Sequence, residues 1–113
     1  MSQAVVCGNL VYTAGQVDDS ESVAEQTRAV LSKIDNLLAQ AGTAKSHIIS
    51  ASIWLSDIAA VDEMNAVWES WVDSASVPAR ATVQSRLVAP QYKVEIAVVA
   101  AIPADPQITC ATA

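Results

Sequence analysis

The chain is poor in positive charge. Its 113 residues include six Lys and Arg against twelve Asp and Glu, which gives a net charge of −6 at pH 7. An electrostatic grip on nucleic acid needs a basic face, and this composition argues against one. The sequence also lacks a run of twenty apolar residues and a charged-then-apolar leader. We therefore expect a soluble protein that is neither exported nor inserted into a membrane.

Cysteine and histidine are scarce as well. Cys7 and Cys110 lie near opposite ends of the chain, without the spacing of a redox pair. They are more typical of reduced, structural thiols than of a disulfide, which favours a cytoplasmic protein. His47, the one histidine, has the position of a surface residue at the entry to a strand. A phosphate-binding loop, a metal-ligand cluster and a Cys/His or Ser/His constellation are all missing.

The amino-terminal half predicts a hairpin followed by a helix. Two short apolar runs, residues 4–7 and 10–14, flank Gly8 and Asn9, a pair that favours a tight turn. Ser22 and Glu25 have the spacing of a capping box, and Gly42 fits the left-handed position after a helix. Between them, apolar or small residues recur at steps of three and four and predict one buried stripe: Val23, Thr27, Val30, Leu31, Ile34, Leu38 and Ala41.

The second half predicts three strands and one further helix. Residues 48–55 form the first strand candidate, and Asp57 is a candidate N-cap for a helix. The predicted face of that helix contains one polar member, Asn65, which is either a satisfied core amide or a group aimed at a pocket; the others are Val61, Met64, Trp68, Trp71 and Val72. The element order β-β-α-β-α-β-β then predicts an α+β fold, with two helices packed on one face of a mixed sheet.

The predicted sheet has more apolar residues than two helices can cover. We expect Val5, Val11, Val94, Ile96 and Val98 to contribute this surplus. A second apolar face in so small a domain predicts burial against further copies of the chain. We take residues 1–102 as a single domain, and residues 103–113, which contain two prolines, as a loosely ordered tail.

The last two predicted strands carry the charges that stand out. Residues 81–88 and 92–100 flank Pro90, which predicts a hairpin with Arg80 at the start of one strand and Glu95 inside the other. An ionised carboxylate in an apolar run is costly unless it is paired or lies at a wet pocket. An Arg80–Glu95 salt bridge within the sheet is one interpretation. In the other, Arg80 binds a carboxylate in bidentate geometry and Glu95 positions a water.

Several segments of the chain resemble the RidA/YjgF family of reactive-intermediate deaminases. The similarity runs from Ser2 to about Ile102 and includes Ala-Gly-Gln at 14–16 and Met-Asn-Ala-Val-Trp at 64–68. It is most specific in Pro-Ala-Arg-Ala-Thr-Val at 78–83, followed by Val-Glu-Ile at 94–96. The segment from Pro90 to Ile96 is similar to a shorter, YoaB-like branch of the family.

This resemblance implies a fold, an assembly and an activity. The fold is the RidA or chorismate-mutase-like sandwich, assembled as a homotrimer whose sheets line a central barrel and whose clefts lie between subunits. Arg80 would bind the substrate carboxylate, Glu95 would hold the attacking water, and main-chain groups of Gly15 and Thr82 would line the cleft, with Asn65 close by. The implied reaction is hydrolysis of 2-imino or enamine acids to 2-keto acids and ammonia, without a metal or an organic cofactor.

Three positions depart from the family pattern. Met1 stands where an aromatic residue commonly covers the pocket, Thr82 stands where cysteine is frequent, and the loop after Gln16 is short. A rival interpretation is a non-catalytic trimer that binds small carboxylates through Arg80 or has a regulatory role. A third is a chaperone-like or interaction protein with a vestigial cleft. Keeping both Arg80 and Glu95 favours the deaminase, whereas the missing aromatic residue favours the binding protein.

Overall fold

Two helices and a mixed sheet make up the part of the chain that the computed structural model describes, residues 1–103. Within it the strand order is β1-β2-β5-β3-β4, and only β3 and β4 run parallel to each other. The helices are α1 (Val23–Gln40) and α2 (Val61–Trp71), both on one face of the sheet. The strands are β1 (Ala4–Cys7), β2 (Leu10–Thr13), β3 (Ile48–Leu55), β4 (Ala79–Gln84) and β5 (Val94–Ala101). The predicted α+β class and element order are confirmed.

The β1–β2 hairpin turns at the predicted pair. Cys7 lies opposite Leu10, so Gly8 and Asn9 form a two-residue loop. Gly8 has a φ of 60°. Asn9, which would also tolerate a positive φ, does not have one. A positive φ at the first loop position is where glycine costs least, which accounts for this turn.

Helix α1 begins and ends as its sequence predicts. The Ser22 hydroxyl accepts a hydrogen bond from the Glu25 amide at 3.0 Å. At the other end Gly42, with φ of 85°, donates to the Ala39 carbonyl, and Thr43 donates to that of Leu38. This pair of bonds is the Schellman ending that a left-handed glycine allows. The predicted stripe is buried except for Ala41, which packs partly buried at its edge.

Helix α2 is preceded by a short 3₁₀ turn, Ile58–Ala60. Asp57 caps that turn, rather than α2 itself, by accepting a hydrogen bond from the Ala59 amide at 2.9 Å. The predicted N-cap therefore lies one short turn before the helix. Met64, Val67 and Trp68 are the buried residues of α2. Val67 was outside the predicted face, and Asn65 is only partly buried.

The predicted hairpin between the last two strands is wrong. β4 pairs in parallel with β3, and β5 lies on the other side of β3. A parallel pair needs a crossover connection, and α2 supplies it between β3 and β4. Residues 85–93, which include Pro90, then carry the chain past the end of β3 to reach β5.

The residues predicted to supply surplus apolar surface are mostly core residues instead. Val11, Val94, Ile96 and Val98 are at most 2% exposed and pack in the core with the helices. We call the side of the sheet opposite the helices the open face. Strand alternation and register place Val5, Tyr12 and Val83 on it, with exposures of 53%, 46% and 50%. The open face is therefore apolar, but of the predicted residues only Val5 lies on it, together with Tyr12 and Val83.

Two further expectations concern the ends of the chain and the membrane. The tail predicted over residues 103–113, including Cys110, lies outside the described residues except for Pro103. Cys7 is exposed on β1 rather than buried. Neither helix within residues 1–103 is long and apolar enough to cross a membrane.

Candidate functional site

Arg80 extends from an edge strand toward α2. It lies opposite Ala51 of β3, a core residue, so its side chain is on the helix side of the sheet. Its Nη1 donates to Asn65 Oδ1 at 2.7 Å, and its guanidinium carbon is 5.4 Å from the centre of the Trp68 ring. A flat cation over an indole face is held without losing its remaining N–H donors. Arg80 is thus oriented by α2 while its fork stays exposed to solvent.

Asn65 connects Arg80 to a second charged residue. Its Nδ2 donates to Glu69 Oε1 at 3.0 Å, one helical turn further along α2. Because the carboxylate accepts from the amide nitrogen, the amide oxygen of Asn65 is directed at Arg80. Of the two interpretations left open by the sequence, the structure favours the pocket: Asn65 is partly exposed and lines the groove beside Arg80.

This groove has a volume of about 380 Å³ and lies between the end of α2 and the start of β4. Its apolar lining consists of Trp68, Val72, Val77 and Pro78, and its charged lining of Glu69 and Arg80. Its volume falls within the range of small-molecule sites, and the groove is open at the surface. The sequence indicated Trp68 as a core residue, which it is at 3% exposure, and placed Val72 on the same helix face, but it did not single out Glu69 or Val77.

Thr82 follows Arg80 on the same side of β4, opposite Ile53. Its Oγ1 is buried and has no hydrogen-bond partner among the described residues. The Ser85 amide donates to the Leu55 carbonyl of β3 at 2.9 Å. Because N–H groups alternate in direction along a strand, the Thr82 amide is directed away from β3, toward the free edge of the sheet.

Glu95 lies on the open face, next to Gly15. It is opposite Trp54 of β3, between the core residues Val94 and Ile96. A methyl group added to Gly15 would be 2.7 Å from the Glu95 carboxyl carbon, so glycine is needed for this approach. Gly15 is partly exposed, and it has no backbone hydrogen-bond partner within residues 1–103.

Irregular pairing of β2 with β5 creates this approach. Tyr12 lies opposite Val99, but the next bridge joins Gln16 to Ile96, so one extra residue is accommodated on the β2 side. The Thr13 hydroxyl accepts the hydrogen bond from the Val98 amide at 3.0 Å and so satisfies a group that the bulge would leave unpaired. A β-bulge of this kind redirects the chain locally, here at Gly15.

The loop after Gln16 is short, and Asp18 holds it through hydrogen bonds from Ser20 and an ion pair with Lys33 of α1. Ser20 donates to the Asp18 carboxylate from its amide at 3.0 Å and also from its hydroxyl. Lys33 Nζ is 3.5 Å from the same carboxylate. The Ser20 hydrogen bonds, with a smaller contribution from Lys33, hold the pKa of Asp18 below its usual value. This loop leads from Gln16 to the start of α1, whose Lys33 and Gln26 it contacts.

The structure thus places the predicted site residues in two separate groups, which we call the two half-sites of the candidate site. Arg80, Asn65 and Thr82 lie on the helix side, whereas Glu95 and Gly15 lie on the open face. Arg80 and Glu95 are also far apart within the sheet. They are separated by two strand spacings of about 4.8 Å each across the sheet, and by three residues of about 3.3 Å each along the strands. The salt bridge that was one interpretation of this pair does not form within the described chain. No group of three or more His, Cys, Asp or Glu suited to a metal occurs among residues 1–103.

Comparisons with known proteins agree with the resemblance read from the sequence. Residues 1–102 match the sequence model of the family described as Endoribonuclease L-PSP. A RutC family protein of Haemophilus influenzae is 43% identical over 103 residues, covering 88% of this chain and 89% of that protein. The RutC family protein YoaB of Escherichia coli K12 is 40% identical over 102 residues, covering 89% and 90%.

Solved structures show the same fold. A YjgF family protein of Neisseria meningitidis superposes with a TM-score of 0.88 at 42% identity, covering 89% of this chain and 86% of that one. A Rid family protein of Yersinia pestis has a TM-score of 0.85 at 30% identity, covering 90% and 87%. From the family match, the close relatives and the shared fold, we conclude that this chain belongs to the RutC/YjgF/Rid family, whose sequence model is described as Endoribonuclease L-PSP.

Proposed function

We propose that this protein is an imine or enamine deaminase for small 2-imino carboxylates. In the reaction, the water oxygen bonds to C2 of the substrate, both protons of that water pass to the nitrogen, and the C–N bond breaks to release ammonia. The product is the 2-keto acid. The balance is one imino acid and one water for one keto acid and one ammonia. No electrons are exchanged, so the reaction needs no oxidant or reductant.

The observation that carries the proposal is the state of Arg80. One guanidinium nitrogen donates to Asn65 and the plane lies over Trp68, while the residue remains exposed. A preoriented fork of this kind suits a carboxylate ligand, because two parallel N–H bonds can form without reorganisation. The Thr82 amide, two residues further along β4 and directed to the free edge of the sheet, supplies a further donor. A bound carboxylate would place C2 of the imino acid next to these groups.

Glu95 is the group that we assign to the water. Its carboxylate lies beside the main chain of Gly15, and no Lys, Arg or His among the described residues forms an ion pair with it. A carboxylate that is not neutralised by a cation remains a strong acceptor. It can hold a water in position and take up part of the charge as that water attacks C2.

The two half-sites support a site shared between subunits. Arg80 and Glu95 of one chain are on opposite sides of the sheet, so the same chain cannot bring both to one small substrate. The exposed apolar residues of the open face support burial against another copy. We therefore include in the proposal a homotrimer whose clefts pair the edge strand β4 of one subunit with the open face of the next. A cytoplasmic location is also part of the proposal.

Substitution of Glu95 by glutamine tests the assignment. Glutamine keeps the shape and one acceptor but loses the charge, so we expect loss of about 10²–10⁴-fold in the catalysed step. Fresh 2-iminopropionate can be made in situ with an amino-acid oxidase, and its disappearance measured above the spontaneous rate. Pyruvate affinity, measured by calorimetry on the same preparation, should hardly change. Glu25→Gln, the same change on the exposed side of α1, is the matched control.

Two outcomes would contradict the proposal. Imine loss at the wild-type rate in Glu95→Gln would remove the proposed role of that residue. A wild-type protein that binds pyruvate without accelerating imine loss would instead be a carboxylate-binding trimer. One feature favours that second function: Met1, which stands where an aromatic residue commonly covers the pocket, is fully exposed and covers nothing in this chain.

A further inference from the structure

The lining of the groove beside Arg80 indicates which substrate side chains the protein prefers, which the proposed reaction alone does not. It is lined by Trp68, Val72, Val77 and Pro78, and it contains one negative charge, that of Glu69. A carboxylate held on the Arg80 fork would lie at this groove, since Arg80 itself lines it. The remainder of a small imino acid would then be next to the apolar lining and the Glu69 carboxylate.

We propose that this groove receives the substrate side chain, and that Glu69 excludes a second carboxylate from it. The preferred substrates are then 2-imino monocarboxylates with aliphatic side chains, and 2-imino dicarboxylates are disfavoured. This proposal rests on the proposed function for its reaction, but its selectivity also applies to the binding of 2-keto acids. It therefore can be tested without turnover.

Size and lining favour aliphatic side chains. A volume of about 380 Å³ accommodates a side chain of three or four carbons together with the carboxylate. Each methylene transferred from water to such a lining favours binding by about fourfold when it is fully buried. The groove is open at the surface and Val77 is half exposed, so the gain per methylene should be smaller than this limit.

Charge in the groove acts in the opposite direction on acidic side chains. Arg80 is committed to the first carboxylate, and Glu69 then faces any second one as a like charge. Glu69 is exposed, so water screens the repulsion, but a few ångströms of separation still leave an appreciable penalty. We expect about tenfold discrimination from this charge alone.

Glu69 has a second effect, because it orients Asn65. Its Oε1 accepts from Asn65 Nδ2, which keeps the amide oxygen on Arg80. Glutamine at position 69 retains an acceptor for that bond and loses only the charge, whereas alanine loses both. Glu69→Gln therefore isolates charge selectivity, and Glu69→Ala adds the loss of Arg80 orientation.

The experiment compares imines made in situ from alanine, leucine and glutamate by oxidases of matching specificity. For the wild-type protein we expect kcat/KM to be highest for the leucine imine and lowest for the glutamate imine. Glu69→Gln should raise the ratio of kcat/KM for the glutamate imine to kcat/KM for the alanine imine about tenfold. Glu69→Ala should also lower kcat/KM for the alanine imine, because Arg80 loses its orientation. Val77→Ser should reduce the advantage of the leucine imine over the alanine imine.

Asp62→Asn is the matched control. Asp62 is exposed on the same face of α2, two turns or about 10 Å before Glu69, and it does not line the groove. An unchanged leucine-to-glutamate ratio in Glu69→Gln, or the same change in Asp62→Asn, would overturn the proposal. If the wild-type protein accelerates no imine, calorimetry with 4-methyl-2-oxopentanoate and 2-oxoglutarate decides. Tighter binding of the former, with the difference removed by Glu69→Gln, would support the groove although the proposed reaction had failed.

Discussion

At the scale of single residues, the charged residue in the β5 run has a simple structural explanation. Val94 and Ile96 are directed into the core, and Glu95 between them is directed to the opposite side. An apolar run in a strand thus does not imply an apolar environment for each member. The sequence singled out Glu95 and Arg80 by their unusual settings. It missed Glu69 because a glutamate on an exposed helix face has no distinguishing pattern until the contact with Asn65 is known.

The same scale gives a prediction for Gly15. In Gly15→Ala the new methyl group would overlap the Glu95 carboxylate, which is the flexible end of a side chain and can move away. Gly15 does not have a positive φ, so its backbone accepts alanine without strain. We expect a shift of less than about 1 kcal/mol in the free energy of unfolding, together with a large loss of imine hydrolysis.

A double-substitution cycle checks that the loss arises through Glu95. Combined with Glu95→Gln, the Gly15→Ala change should cause little additional loss, because both changes remove the same function. Multiplicative losses in the double variant would show that Gly15 matters for another reason, such as direct contact of its main chain with the substrate.

At the scale of elements, helices were predictable and strand pairing was not. The three- and four-residue spacing of α1 and its capping residues are local properties, so the sequence contains them. The position of β3 between β4 and β5 depends on contacts between distant segments, and a proline-containing connection of nine residues does not reveal it. For the same reason, the two half-sites could not be separated from the sequence, because the hairpin prediction placed Arg80 and Glu95 on adjacent strands.

Gln26 shows how a polar residue on the core side of α1 can hold distant segments. It is fully buried, and its Nε2 donates to the carbonyls of Ser20 and Gln91 at 2.7 and 3.0 Å. Its Oε1 accepts from the Lys93 amide at 2.8 Å. The residue therefore fixes the connection between β4 and β5 to the start of α1.

Gln26→Leu tests this role with little change in volume. Three backbone groups lose their partner, and an unsatisfied buried group costs about 1–3 kcal/mol. We expect the variant to lose at least about 2 kcal/mol in the free energy of unfolding, measured by urea denaturation. Gln40→Leu, at the exposed end of the same helix, is the control and should have little effect. Equal urea-denaturation midpoints for the Gln26→Leu and Gln40→Leu variants would contradict the proposed role of Gln26.

At the scale of the whole molecule, the sheet has two unequal faces. The helix side is a closed core, whereas the open face presents Val5, Tyr12 and Val83 to solvent in an isolated chain. The excess of apolar residues in the sequence predicts a covered second face, but most of the residues that contribute to this excess lie in the core. Val5, Tyr12 and Val83, together with the division of the candidate site between the two faces, support assembly of several copies.

This division has a consequence for mixtures of inactive chains. Arg80→Ala and Glu95→Gln each remove one half-site, so particles made from either variant alone should be inactive. Refolded together at equal amounts, the two variants should complement each other, because an interface can join an intact Arg80 half to an intact Glu95 half. In a cyclic trimer with random mixing, about one quarter of the clefts would be intact.

The recovered rate should therefore be about a quarter of the wild-type rate per subunit, in particles that light scattering identifies as trimers. Mixtures that stay inactive, although they form such particles, would mean that each cleft takes Arg80 and Glu95 from a single chain. A chain that carries both substitutions supplies the control, since it can rescue neither single variant. In a cell that makes two versions of this protein, an inactive version would then impair sites on its partners and could also be repaired by them.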